Sequence, residues 1–251
     1  MSPREWYTFF KSKGVEEQVD ILTGVSLPDK TKTYEPVSHY DVITKSAKMM
    51  KDAGHTIEKV RYDAADSGEV MLGWLTTAPE LVEGHKISNV MGFQNSYNKR
   101  YTLKLSFGTH FHEEDVSIMH SNIRFKRKHT GTVNEEFDKL LVDSAGYLTS
   151  DYEDMIGAMD YMKHSKMGKD NVGKALGQLY LTADVLNSSQ MSRIKRAATK
   201  VKKSVFDEYG LISVWSLFSI VEETLRDSHA ASQIDDYIKT FDFFKTKYGI
   251  I

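Results

Sequence analysis

From Ser38 onward, apolar residues recur at three- and four-residue steps: Val42, Ile43, Ala47, Met49 and Met50. That spacing predicts a helix near 38–53, with Ser38 as its N-cap and Gly54 as its stop. Strand signals follow in quick succession. They cover 56–62, 69–77, 86–94 and 101–107, with Ala64–Gly68 a turn and 94–100 a hairpin loop. The segment 101–107 alternates most cleanly, with Tyr101, Leu103, Leu105 and Phe107 on one face and Thr102, Lys104 and Ser106 on the other. Two further short strands are expected at 116–120 and 123–126. Closely spaced strands with short loops assemble most simply as an antiparallel meander.

After Thr132 the apolar period changes from two to about 3.6. Helices are predicted over 134–145, 151–164, 171–186, 189–206, 214–228 and 230–247, with Asn134, Asp151 and Ser213 as N-caps. The expected fold is α+β, an antiparallel strand-rich N-terminal half packed with a helical C-terminal half. Residues 1–131 would form a mainly antiparallel β subdomain with one helix, and 132–251 a helical subdomain. The 4 prolines and the lack of any Ser/Gly/Pro-rich run argue against a linker between them.

Composition narrows the classes without naming a function. With 40% hydrophobic and 27% charged residues the chain is an ordinary globular one. The absence of cysteine removes disulfides, thiolate nucleophiles and zinc–thiolate sites. No signal-peptide pattern opens the chain and no apolar run is long enough to cross a bilayer, so a cytoplasmic protein is expected, in the host cytoplasm if phage-encoded. The net charge of −2 hides an uneven distribution. Six cations and no acid fall in 187–205, whereas eight acids face four bases from Phe206 onward.

Two basic segments carry the functional expectation. Ile123-Arg-Phe-Lys-Arg-Lys-His-Thr-Gly131 places Arg124, Lys126, Arg127 and Lys128 around Phe125, followed by His129. Cations hold phosphates and an interleaved aromatic can stack on a base, although lysines also protect solvated edge strands. In the helix 189–206 the cations Arg193, Arg196, Lys200 and Lys203 surround an apolar stripe, which suits a phosphate backbone or an acidic partner. His110-Phe-His112 with Glu113, Glu114, Asp115 and His120 is the one metal-like cluster, but the positions that would complete a His-x-His-x-Asp-His motif hold Glu114 and Asp115. No bound metal is expected there. Phosphate-loop, dinucleotide-loop and serine-elbow motifs are all missing, so no catalytic residue and no cofactor is assigned.

Asn95-Ser, the basic Lys-His-Thr stretch and Tyr209-Gly-x-x-Ser213-Val-Trp215-Ser-Leu-Phe218-x-x-Val-Glu222-Glu-Thr224 occur here in that order. In this the chain resembles the phage/plasmid-like protein family catalogued as domain of unknown function 932, over roughly residues 36–248. It departs from that pattern at Ser117-Ile-Met-His-Ser-Asn122, which lacks the family's cysteine. The resemblance implies a mobile-element origin and no established reaction. The combined expectation is a non-enzymatic nucleic-acid-binding protein, with single-stranded DNA as partner, in phage or plasmid replication, recombination or transcription. The alternatives are a factor that binds and redirects a host protein, and a metal-dependent hydrolase built on His110 and His112. Self-association, to which Phe241, Phe243 and Phe244 could contribute, is left open.

Overall fold

The structure is a computed structural model that describes residues 24–144, 152–199, 210–226, 228–229 and 232–250. Among these, helix α1 spans His39–Asp52, and the Ser38 side chain accepts from the Asp41 N–H at 2.9 Å as the sequence predicts. Ser38→Ala should cost about 1 kcal/mol, the usual loss for an N-cap, and lower the melting temperature by a few degrees. An unchanged melting temperature would mean that α1 does not depend on this cap.

Six strands follow: β1 (Ile57–Ala65), β2 (Val70–Thr77), β3 (Glu80–Val82), β4 (His85–Ser96), β5 (Leu103–Phe111) and β6 (Val116–Arg127). They form one antiparallel sheet in the order β1-β2-β4-β5-β6, with the short β3 pairing only β4. The two short strands expected at 116–120 and 123–126 are one strand. The break between them marks a shift of register, since Gly108 stands opposite Met119 while Ser106 stands opposite Arg124. Gly108 lies so close to the Ile118 carbonyl and Met119 sulfur that any side chain would collide with them. Glycine is required where one backbone passes this near another.

The helical half contains α2 (Val133–Ser144), α3 (Tyr152–His164), α4 (Lys169–Leu181), α5 (Ser188–Thr199), α6 (Val214–Leu225) and α7 (Gln233–Tyr248). Ser213 caps α6 by accepting from the Ser216 N–H at 3.0 Å. A small two-stranded ribbon, β7 (Lys166–Gly168) with β8 (Leu211–Ser213), was not predicted. Three residues are too few to show a period. The expected cap Asn134 lies inside α2, which begins one residue earlier. Asp151 and the residues beyond Thr199 in the predicted basic helix lie outside the described residues.

Hydrophobic packing crosses residue 131. Met71, Leu75, Met91, Phe93, Leu103, Leu105, Phe107 and Phe125 share one cluster with α1 and α2. Leu72, Val90 and Phe111 share a second with α3 to α7. The neighbours Met71 and Leu72 fall in different clusters because successive strand side chains point to opposite faces. The sheet is therefore a middle layer. Both faces are covered by helices, which explains why β5 is buried at every position instead of at alternate ones.

Candidate nucleic-acid interface

Strand alternation decides what the first basic segment can do. Leu105 stands opposite Phe125, and both point into the cluster beneath α2. Phe125 is 7% exposed and its ring lies 6.1 Å from that of Phe137. It is a core residue, so the expectation that it stacks on a base is corrected. His129 is also interior, at 5% exposed. Burial lowers its pKa, neither ring nitrogen has a hydrogen-bond partner, and it sits 5.7 Å from the Tyr34 ring. A neutral, enclosed imidazole is no phosphate contact, and that assignment is corrected as well.

The cations divide between the two faces. Lys126 lies 3.7 Å from Asp235 on α7, which also holds Lys104 at 2.9 Å. Arg127 donates to Glu136 on α2 at 2.6 Å. The Thr132 hydroxyl and then Arg127 hold the Glu136 carboxyl below its usual range. Lys126 and Arg127 nevertheless keep 56% and 60% of their side-chain surface exposed, and Lys128 is exposed too. Such solvated pairs are screened by water and salt and contribute little, so a phosphate can compete for the cations. The Arg124 side chain is not among those described, and Lys200 and Lys203 lie outside the described residues.

Sequence reading missed that the register brings other cations to this end of the sheet. Gln94 faces Lys104 and Leu103 faces Arg127, so the loop joining β4 to β5 lies beside the end of β6. That loop carries Lys99 and Arg100, both exposed. Lys99 sits 4.5 Å from the Tyr34 ring centroid, and Glu35 N donates to the His129 carbonyl at 3.0 Å, which ties the irregular segment ahead of α1 to the same place. That segment adds Lys30 and Lys32, the former paired with Glu35. Among the described residues Lys32, Lys99 and Lys128 form no ion pair. Acidic neighbours are Glu35, Glu136, Asp235 and Asp66, the last 3.9 Å from Arg100. The sequence signal was the Asn98-Lys-Arg100 turn, but its nearness to β6 depends on the strand pairing.

Helix α5 belongs to a different region. Its Ile194 packs into the cluster with α6, and its main neighbours are α4 and α6. Lys195 and Arg196 are exposed and Arg193 is half-buried. The two basic segments expected to share one groove thus have different neighbours and different cores. As for the histidines, His110 Nδ1 meets Ser117 Oγ at 3.1 Å and His112 Nε2 meets Ser88 Oγ at 2.8 Å. Among the described residues no group of three or more His, Asp or Glu is placed to hold a metal, and no helix is long and apolar enough to cross a membrane.

Compared with known proteins, the chain matches no family model, no curated protein and no solved structure. Geometry and charge alone carry the functional reading.

Proposed function

We propose that the chain binds the phosphate backbone of single-stranded nucleic acid at the basic end of its sheet. The carrying observation is that Lys99 and Arg100 of the β4–β5 loop lie at the same end of the sheet as Lys126, Arg127 and Lys128, which fan out over both of its faces there. Three neighbouring strands set this end of the sheet at about 10 Å across, wide enough to seat one phosphate backbone. Tyr101, half-buried in the same loop, offers an aromatic surface beside the cations. A mobile-element setting is a further part of the proposal and rests on the sequence resemblance alone, which no family model matches.

The test is a titration of 30-nucleotide single strands and matching duplexes at two salt concentrations. Single-strand affinity should fall with salt at a log–log slope of about −0.7 per phosphate neutralised. Lys99→Ala/Arg100→Ala and Lys126→Ala/Lys128→Ala should each weaken binding to all sequences alike and shallow that slope by about 1.4. Arg193→Ala/Arg196→Ala should leave it unchanged. If only the α5 variant alters the slope, the interface lies on that helix. If the wild-type protein binds no strand at low salt, the proposal fails and the host-protein factor becomes the better reading.

A further inference from the structure

A cleft of about 370 Å³ opens between the sheet and the helices α6 and α7, away from the basic end. On the sheet side it is walled by Trp74, Val90, His110 and Ser117, and on the helix side by Glu222, Arg226 and Tyr237. The size falls at the lower end of the range for small-molecule sites.

The charges in this cleft are already balanced. Arg226 donates to the Asp115 carboxylate at 2.6 Å and to Glu222 at 3.1 Å. Arg61, at the rim, donates to Asp63 at 2.7 Å and to the Gln233 side-chain amide oxygen at 3.0 Å, which also accepts from the Trp74 indole N–H at 3.0 Å. Lys59 and Glu58 at the mouth are of opposite sign. With no surplus of either sign, the cleft favours neither a phosphate nor a cation. It does carry hydrogen-bonding groups that can change role. Glu222 Oε1 accepts from the Ser117 N–H at 3.2 Å and Oε2 from Arg226 at 3.1 Å, and burial pushes the carboxyl up to about 7, so near neutrality part of the population carries a proton. Burial, then the neighbouring His112, lowers His110 to about 4 and keeps its imidazole uncharged beside the Ser117 hydroxyl. The rings of Trp74 and Tyr237, 5.5 Å apart and tilted by 48°, add aromatic surface that meets at an angle.

We propose that this cleft binds an uncharged, planar, hydrogen-bonding ring of nucleoside size, with Glu222 and Ser117 reading its polar edge against the Trp74–Tyr237 wall. A carboxyl is a natural partner for the ring N–H and amino groups of a base, and aromatic walls hold the flat ring. The site is independent of the basic end, because a nucleoside has no phosphate for those cations to hold.

The probes are adenosine, guanosine, cytidine and uridine at millimolar concentration, with methyl glucoside as a non-planar control. The readouts are calorimetry and the Trp74 indole N–H resonance. At least one nucleoside should bind and shift that resonance, and methyl glucoside should not. Thr76→Trp, at a half-buried position on the cleft wall, should weaken binding at least tenfold without altering affinity for a 30-nucleotide strand. Glu222→Gln should change the order of preference among the four bases. If Thr76→Trp does not fold, the wild-type resonance decides alone. The proposal is overturned if no nucleoside moves the Trp74 resonance, if methyl glucoside binds as well, or if a folded Thr76→Trp protein binds nucleosides unchanged. None of these outcomes bears on the phosphate strip, which the salt titration tests separately.

Discussion

Phe125→Ala will cost about 3–5 kcal/mol of stability, the loss expected when a buried aromatic is removed, and will leave the salt slope of nucleic-acid binding where it was. The ring is enclosed between Leu105 and Phe137 in the cluster that joins α2 to the sheet. Removing it opens a cavity that β5, the one strand paired with β6 among the described residues, cannot close. Chemical denaturation gives the first quantity and titration of a 30-nucleotide strand the second. A ring that stacked on bases would behave differently, with about 1–3 kcal/mol lost from binding and little from stability. That result would restore Phe125 to the interface and contradict its placement here.

Arg226→Ala will be the other severe change, and its severity will depend on pH. Arg226 neutralises Glu222, which is only 2% exposed and lies under α7. Removing one partner of a buried pair typically costs about 3–5 kcal/mol, because the remaining charge is left without compensation. The Glu222 carboxyl, already raised from 4.5 to about 7 by burial, will rise further without the guanidinium and escape the penalty by taking up a proton. The loss should therefore be near its full size at pH 8 and much smaller at pH 5. A folded pKa above the unfolded one gives stability at low pH that is lost as pH rises through the folded value. His110 works in the opposite direction. Its folded pKa is lowered from 6.5 to about 4, so its contribution is present above 6.5 and lost as pH falls through 4. In the wild type these two groups oppose each other between about 4.5 and 6.5. Glu222→Gln removes one of them, so its stability relative to wild type should climb by about 3 kcal/mol from pH 4.5 to 8. Adding Glu222→Gln to Arg226→Ala should recover much of the loss at pH 8. Equal destabilisation by Arg226→Ala at pH 5 and pH 8 would show that Glu222 is not the group left exposed to the penalty.

Much of the architecture was legible because period two and period 3.6 occupy separate halves of the chain, and because capping residues such as Ser38 and Ser213 act locally. The gap between the two strands expected before Arg127 was also a true signal, although of a register shift and not of a strand end. The interface was harder to read. The run from Arg124 to Lys128 looks continuous in sequence, yet alternation sends Lys126 toward α7, and Phe125 with Arg127 toward α2. Lys99 and Arg100 join them only through pairing with another strand. The cleft had one visible trace. Glu222 interrupts the buried stripe of Phe218, Val221 and Leu225 on α6, and a carboxylate in such a stripe needs a partner. That partner, Arg226, lies one helical turn further along, but the hairpin residue Asp115 that completes the set is more than a hundred positions earlier.

The order of the two clusters along the chain also bears on how the protein is made. By residue 144 a ribosome has delivered every strand of the main sheet together with α1 and α2, so one side of the sheet is sealed early. The other side must wait for α6 and α7, on the order of ten seconds later at ordinary elongation rates. During that interval the waiting surface shows water Lys59, Arg61, Lys104 and His110 among its apolar residues. Leu72, Ile87, Val90, Phe111 and Ile118 belong to the cluster that the later helices complete, so until those arrive the half-finished sheet is the species most open to sticking, and the four polar side chains break its apolar patch into smaller pieces.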